Sequence, residues 1–188
     1  MLNERPWVKA NTSFKTAKRA MENARKAAIP TCPATLEETI EGLRHQRFPP
    51  LYQDMFEAVV SQEFRSQDGK VVKHAIILIN RAVFEDVVRT CICYGMDGTF
   101  KTTPRLGNAF DDRASQVLTI SADYHGSPVV IFTVVMQTRK MPLYKKVFSH
   151  IQNNYPTFQP IQMMADFEKS MRNGFKAIYK DSRLYGCR

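Results

Sequence analysis

Apolar and polar positions along the chain follow two periods, and these periods distinguish predicted strands from predicted helices. From Lys73 onward, short apolar β-branched runs predict strands, and apolar positions three or four residues apart predict helices. Three helices are predicted in this region. The first is RAVFEDVVRT, the second begins at Pro142, and the third begins near Glu168. His125 and Gly126 supply a turn that makes the third and fourth strands an antiparallel hairpin. The six strands are HAIILIN, CICYGMDGTF, SQVLTISADY, SPVVIFTVVMQ, PIQMMADF and RLYGC.

The region before these strands is basic and contains several prolines. A helix is predicted from Thr12 or Ser13 to about Ala28, and a linker that prolines stiffen follows it. A shorter helix over 36–44 comes next, after residues with the spacing of a capping box. We therefore predict an N-terminal helical region at 1–50 and a second domain at 51–188, with the boundary at a pair of prolines.

The order of elements from Ile92 is three strands, a helix, a strand, a helix and a strand. This is the opening order of an RNase H-like fold, so we predict an α/β protein with a mixed sheet flanked by helices. In that fold the first and fourth strands counted from Ile92, here CICYGMDGTF and PIQMMADF, are neighbours. Asp97 in the first strand and Asp166 at the end of the fourth should therefore converge, and paired carboxylates are ligands that Mg²⁺ accepts readily.

Composition and charge extend this interpretation. The net charge is +9, and the basic excess lies at the two ends of the chain, around a mildly acidic centre. This pattern suits contact with a phosphate backbone, although surface solubility alone also produces it. No apolar stretch is long enough to span a bilayer, the start resembles no signal peptide, and the four cysteines lack a disulfide framework. We expect an intracellular protein with free thiols and no membrane partner.

Several motifs resemble those of Mutator-like element (MULE) transposases. DGTFKTTP from Asp97 is similar to the family's first catalytic strand, and MMADFEKS around Asp166 is similar to its second-aspartate motif. The hairpin and the helix between them are also similar in layout, and RLYGC resembles a strand that leads into a Gly-Cys…His motif. The resemblance covers about 73–188 and, more faintly, 12–36.

The resemblance implies a function and a set of partners. It implies a DDE-type DNA transposase domain in the nucleus, with Asp97 and Asp166 as catalytic residues that bind Mg²⁺ or Mn²⁺ and DNA as the substrate. In the family the third acid lies well downstream, and no residue of this sequence matches it. We therefore expect a domain that is incomplete at its C-terminus and inactive alone, completed by a missing C-terminal domain or by homo-oligomers.

Two other functions remain open. One is a non-catalytic DNA-binding or chromatin-associated protein that retains the fold. The other is an unrelated metal-dependent nuclease, which would need Asp123 as a third acid. The residues proposed to contact nucleic acid are Lys101, Lys169, Arg172, Lys176 and Lys180.

Each candidate also has a structural interpretation. Asp97 is suited to capping an Asp-Gly turn, and Asp166 to capping the next helix, a role compatible with metal ligation. Glu168 is expected to interact with the helix dipole, and the lysines and arginines around 169–180 to form a solvated helix face. Cys91 and Cys93 are predicted to be small core residues of one strand, His125 a turn residue and His150 a surface residue.

Overall fold

The structure is a computed structural model that describes residues 14–28, 33, 35–48, 50–67, 69–100 and 114–186. The described helices are α1 (Phe14–Ala28), α2 (Leu36–Arg44), α3 (Pro50–Met55), α4 (Arg81–Thr90), α5 (Met141–Asn154) and α6 (Lys169–Ile178). The described strands are β1 (Phe56–Ser66), β2 (Gly69–Ile79), β3 (Cys93–Thr99), β4 (Gln116–Tyr124), β5 (Ser127–Met136), β6 (Gln162–Ala165) and β7 (Arg183–Gly186).

The chain divides into two compact units, residues 1–32 and 33–188. The predicted first helix is confirmed as α1, which belongs to the first unit and has no acidic residue in its first turn. Its Met21 side chain is 74% exposed, in keeping with the weak apolar stripe that the sequence shows there. All other elements belong to the second unit.

One mixed sheet of seven strands organises the second unit, in the order β1-β2-β5-β4-β3-β6-β7. The first five strands of this order pair antiparallel, whereas β3, β6 and β7 run parallel to one another. The predicted β4–β5 hairpin is confirmed, and its turn places both His125 and Gly126 at positive φ. The predicted α/β class, with helices flanking a mixed sheet, is therefore confirmed.

The main core lies between one face of this sheet and the helices α4, α5 and α6. Alternating strand positions face these helices, as a strand period of two residues requires. Helices α5 and α6 contribute completely buried aromatic residues to this core. Among them, the rings of Phe148 and Phe175 meet edge to face, with their centres 5.4 Å apart. The predicted core positions Met171 and Phe175 are confirmed, since both are fully buried.

The opposite sheet face carries a smaller core under α2. Leu36, Ile40 and Leu43 of this helix pack against Ile76 of β2. At its start the hydroxyl of Thr35 accepts a hydrogen bond from the Glu38 amide at 3.1 Å, which is the predicted N-terminal cap. The helix that the sequence assigned to the N-terminal region thus shares a core with the sheet.

Two elements were not predicted, namely α3 and the edge strand β1. Residues 56–64 of β1 are mostly half-buried, so the strand has neither a continuous apolar run nor a clean alternation. Its pairing with β2 begins at the turn between Ser66 and Gly69, and the glycine has a φ of 125°. In the sequence, an Asp-Gly pair that ends at Gly69 is the signal that would have predicted the hairpin.

The prediction for the two neighbouring cysteines is partly wrong. β3 begins only at Cys93, whose side chain is exposed, so it is not a core residue. Cys91 instead ends α4, lies half-buried against the main core and donates to the Asp123 carbonyl oxygen at 3.2 Å. The helix has its predicted bounds, whereas β3 begins two residues later than the predicted strand, because Cys91 is the C-cap of α4 and its amide donates to the Val87 carbonyl oxygen.

Candidate functional site

The pairing of β3 with β6 brings the two predicted aspartates together. Met96 pairs in register with Ala165 on the parallel neighbour strand, so Asp97 and Asp166 are the next residues along each strand. Neighbouring strands lie about 5 Å apart, and strand alternation directs both aspartates away from the face that buries Met96 and Ala165. The two carboxylates therefore belong to one site at the C-terminal ends of β3 and β6.

Asp97 lies within β3 and is exposed, so it does not cap a turn as its alternative interpretation required. Its Oδ2 atom accepts a hydrogen bond from the Thr99 hydroxyl at 3.1 Å. Its Oδ1 atom accepts none from any residue that the structure describes. One carboxylate oxygen is thus available to a ligand while the other is held in position.

Asp166 directly follows β6 and is half-buried. Its Oδ1 atom accepts the backbone N–H of Glu168 at 2.6 Å, an Asx turn that leads the chain into α6. The N-cap of α6 is Glu168, so the prediction that Asp166 caps this helix is wrong. The turn instead holds one oxygen of the Asp166 carboxylate at the start of α6.

Glu168 points to the helical side of the sheet. Its Oε1 atom accepts a hydrogen bond from the Tyr144 hydroxyl of α5 at 2.8 Å, and its Oε2 atom is buried with no partner among the described residues. Burial and this bond to Glu168 raise the pKa of Tyr144 well above its usual value. The phenol therefore remains a permanent donor that holds Glu168 at the N-terminal end of α6.

Gly98 permits a close contact next to Asp97. A Cβ atom there would lie 2.7 Å from Nε2 of Gln116, which is completely buried at the start of β4. Neither amide atom of Gln116 has a hydrogen-bond partner in the part of the chain that is described. The Asp-Gly pair thus serves close packing inside a strand.

A pocket of about 420 Å³ adjoins this site where β5 ends and where α5 and α6 begin. Arg139 and Lys140 contribute its positive charge, and the Arg139 guanidinium lies 4.5 Å from the centre of the Phe100 ring. Neither basic residue was predicted to contact a ligand, because the sequence shows them only as a loop before a helix. The remaining lining residues are Ser115, Gln137, Thr138, Glu168 and Ser170.

Two of the basic residues proposed for nucleic-acid contact bind backbone carbonyls. Arg172 donates to the carbonyl oxygen of Tyr185 at 3.1 Å, and its guanidinium lies 5.9 Å from the Phe167 ring centre. Lys176 donates to the carbonyl oxygens of Lys180 and Ser182 at 2.7 and 2.8 Å. Both side chains thus connect α6 to the loop and strand that follow it.

The other proposed contact residues differ in their position. Lys169 at the start of α6 and Lys180 just after it are exposed, and the helix separates them. Lys101 lies outside the described residues. Their role in DNA binding stays a prediction.

No third acid joins the aspartate pair within the described ranges, where no group of three or more metal-ligating side chains occurs. Asp123 lies four positions beyond Thr119, the partner of Asp97 on β4. A strand rises roughly 3.3 Å per residue, which places Asp123 about 13 Å away toward the opposite end of β3. Asp123 therefore does not complete a three-carboxylate site.

A second polar cluster, centred on Glu57 of β1, was not predicted. Glu57 accepts hydrogen bonds from Arg81 at 2.7 Å and from Tyr155, and its other carboxylate oxygen lies 3.2 Å from Nε2 of His150. The His150 side chain is only 21% exposed, so its assignment to the surface is wrong. The cluster connects the edge strand to α4 and α5.

Comparison of the chain with protein-family models, with curated proteins and with solved structures gives no match. None of the described helices combines the length and the apolar composition needed to cross a membrane.

Proposed function

We propose that this chain forms an RNase H-like domain derived from a MULE-type transposase, whose ancestral reaction is metal-dependent cleavage and strand transfer of DNA. Five strands in the order β5-β4-β3-β6-β7, joined by two antiparallel and then two parallel pairings, support this fold. The observation that carries the proposal is the adjacency of Asp97 and Asp166 on neighbouring parallel strands. A nuclear location and DNA as the partner belong to the same proposal.

The donor set fits Mg²⁺ or Mn²⁺. Both ions favour carboxylate oxygens and retain several waters, so two aspartates suffice to hold one ion in part. Asp97 and Asp166 each have one oxygen without a hydrogen bond from the described residues. When bound, such an ion stabilises the negative charge that develops on phosphate oxygens.

The contribution of this chain's own residues is to position the two carboxylates. The Thr99 hydroxyl fixes one oxygen of Asp97, and the Glu168 amide fixes one oxygen of Asp166. Asp97 lies within β3 and Asp166 directly follows β6, and the pairing of these two strands limits the movement of one aspartate relative to the other. Held charges of this kind need little reorganisation when a ligand arrives.

The test is isothermal titration of Mn²⁺ into the wild-type protein and into the Asp97→Asn/Asp166→Asn variant. We expect binding heat in the wild type and its loss in the variant, because the amide side chains retain the shape but lose the charge. Asp123→Asn is the matched control, since this exposed acid lies at the opposite end of β3. Equal binding by all three proteins would refute the metal site.

A second candidate function is a non-catalytic DNA-binding or chromatin-associated protein that retains the fold. It is favoured because no third acid joins Asp97 and Asp166 among the described residues. Cleavage of supercoiled plasmid DNA with Mn²⁺ distinguishes the two functions. Nicking that disappears in the double variant supports the transposase-derived function, whereas DNA binding without nicking supports the second candidate or a domain that acts only with a C-terminal domain or a second copy.

A further inference from the structure

The pocket between the N-terminal ends of α5 and α6 lies on the helical side of the sheet, and the turn from Asp166 to Glu168 links it to the aspartate pair. Glu168, which lines the pocket, donates its backbone N–H to Asp166. Phe100 follows Asp97 by three residues, and its ring lies under Arg139 of the pocket wall. The pocket therefore shares the Asp166–Glu168 turn with the candidate site.

The pocket requires a hydrogen-bond donor from its ligand. The Oε2 atom of Glu168 is buried without a partner among the described residues, while Tyr144 already occupies Oε1. A buried carboxylate oxygen without a donor is costly, so a ligand N–H aimed at it gains stability. The edge of an unpaired nucleobase presents such an N–H.

The wall of the pocket also carries positive charge, part of it on the planar guanidinium of Arg139. Arg139 and Lys140 line it, and both side chains are exposed. Because the Arg139 guanidinium is held on the Phe100 ring, it offers a planar cationic surface. Guanidinium planes and aromatic rings are the groups on which unpaired bases stack, and the same charge attracts the phosphate backbone.

We propose that this pocket holds one unpaired nucleotide of a DNA strand. The base stacks on Arg139, a base N–H donates to Glu168, and the positive charge of Arg139 attracts the adjoining phosphate. A volume of about 420 Å³ is sufficient for one nucleotide and not for a duplex. This inference rests on the proposed function and adds that the strand is locally unpaired.

The experiment is fluorescence anisotropy with a fluorescein-labelled oligothymidylate and with a labelled duplex, both in EDTA. Arg139→Ala should weaken binding of the single strand by about tenfold, and Arg139→Lys, which retains the charge without the plane, should also weaken it. The control Arg89→Ala removes another exposed arginine, one that pairs with Asp86 on α4. It should leave the affinity within about twofold, as expected for a charge away from the pocket.

Two further variants test the geometry. Phe100→Leu removes the ring that supports Arg139 and should reproduce much of the loss, with Phe100 acting as a positioning residue. Glu168→Gln should change the preference between oligothymidylate and an oligomer whose thymine N3 is methylated, because this methyl group removes the base N–H. Unchanged discrimination would remove Glu168 from the proposal.

The outcomes distinguish this proposal from the metal site. Binding in EDTA needs no metal, so the Asp97→Asn/Asp166→Asn variant should bind the oligonucleotide at least as well as the wild type. Equal losses in Arg139→Ala and Arg89→Ala would mean diffuse electrostatic attraction and would overturn the pocket. Equal affinity for strand and duplex, or displacement of the strand by an equal concentration of free thymidine monophosphate, would overturn the unpaired strand.

Discussion

The stability of the second unit should depend on one carboxylate, Glu57, at the junction of β1, α4 and α5. Its side chain is only 14% exposed and receives hydrogen bonds from Arg81 and Tyr155, with His150 at 3.2 Å. Glu57→Gln retains the shape but removes the charge and turns one acceptor oxygen into a donor. The amide oxygen can still accept from Arg81 and Tyr155, but these two bonds lose the negative charge that strengthens them.

The expected loss follows from the number and exposure of these contacts. A hydrogen bond to a charged group contributes about 1.5–3 kcal/mol, and the half-exposed Arg81 places its bond at the lower end of that range. We therefore expect Glu57→Gln to lower the free energy of unfolding by about 2 kcal/mol. For a domain of this size that corresponds to roughly 6 °C in the melting temperature.

The effect should depend on pH in a defined direction. Burial alone would raise the pKa of Glu57, but hydrogen bonds from Tyr155, Arg81 and His150 outweigh it and hold this pKa below its ordinary value of 4.5. A lowered pKa in the folded state stabilises the protein above 4.5, and this contribution is lost as the pH falls through the folded-state pKa. The difference between wild type and variant should shrink accordingly.

Urea denaturation followed by circular dichroism measures this difference at neutral pH and at several values below 4.5. The matched control is Glu63→Gln on the same strand, whose ion pair with Lys70 is at least half exposed on both sides. It should cost less than about 1 kcal/mol. The buried Glu57 contacts would not explain the result if the two substitutions lowered the free energy of unfolding equally. The same holds if the difference between wild type and Glu57→Gln persisted unchanged at low pH.

Two further substitutions test the packing around the candidate site. Gly98→Ala would place a Cβ atom 2.7 Å from the Gln116 amide and should cost about 1–3 kcal/mol in thermal denaturation. Gly95→Ala, which meets only a hydroxyl at 3.2 Å, should cost less, and the reverse order would contradict the contact. Tyr144→Phe leaves both oxygens of Glu168 without a donor and should cost about 1–3 kcal/mol by urea denaturation. No loss there would mean that another group replaces the phenol.

Most of the sheet was predictable because its strands bury one face or both. β4 and β5 have apolar alternations or runs that a strand period explains, and α5 and α6 have apolar faces with helical spacing. β1 was missed because an edge strand with a half-buried pattern gives a weak signal. Only its long pairing with β2 stabilises it as a strand.

The candidate site was predicted in part. Asp97 and Asp166 were identified by their motifs and by an assumed strand order, and the observed register makes them neighbours. Arg139 and Glu168 form a pocket wall that no local pattern marks, because their partners come from distant segments. The α6 lysines and arginines illustrate the reverse, since the sequence shows a basic stripe but cannot show that Arg172 and Lys176 bind carbonyls.

Local patterns along the chain specify most elements of the sheet-and-helix core and the positions of its two principal acids. Periodicity and turn residues act over a few positions, so they can be read without knowing the fold. Only the folded structure shows which charged side chains bind partners within the protein and which are exposed to a ligand. Glu57 and Tyr155 are 98 residues apart in the chain yet share a hydrogen bond, because only folding brings such groups within reach of each other.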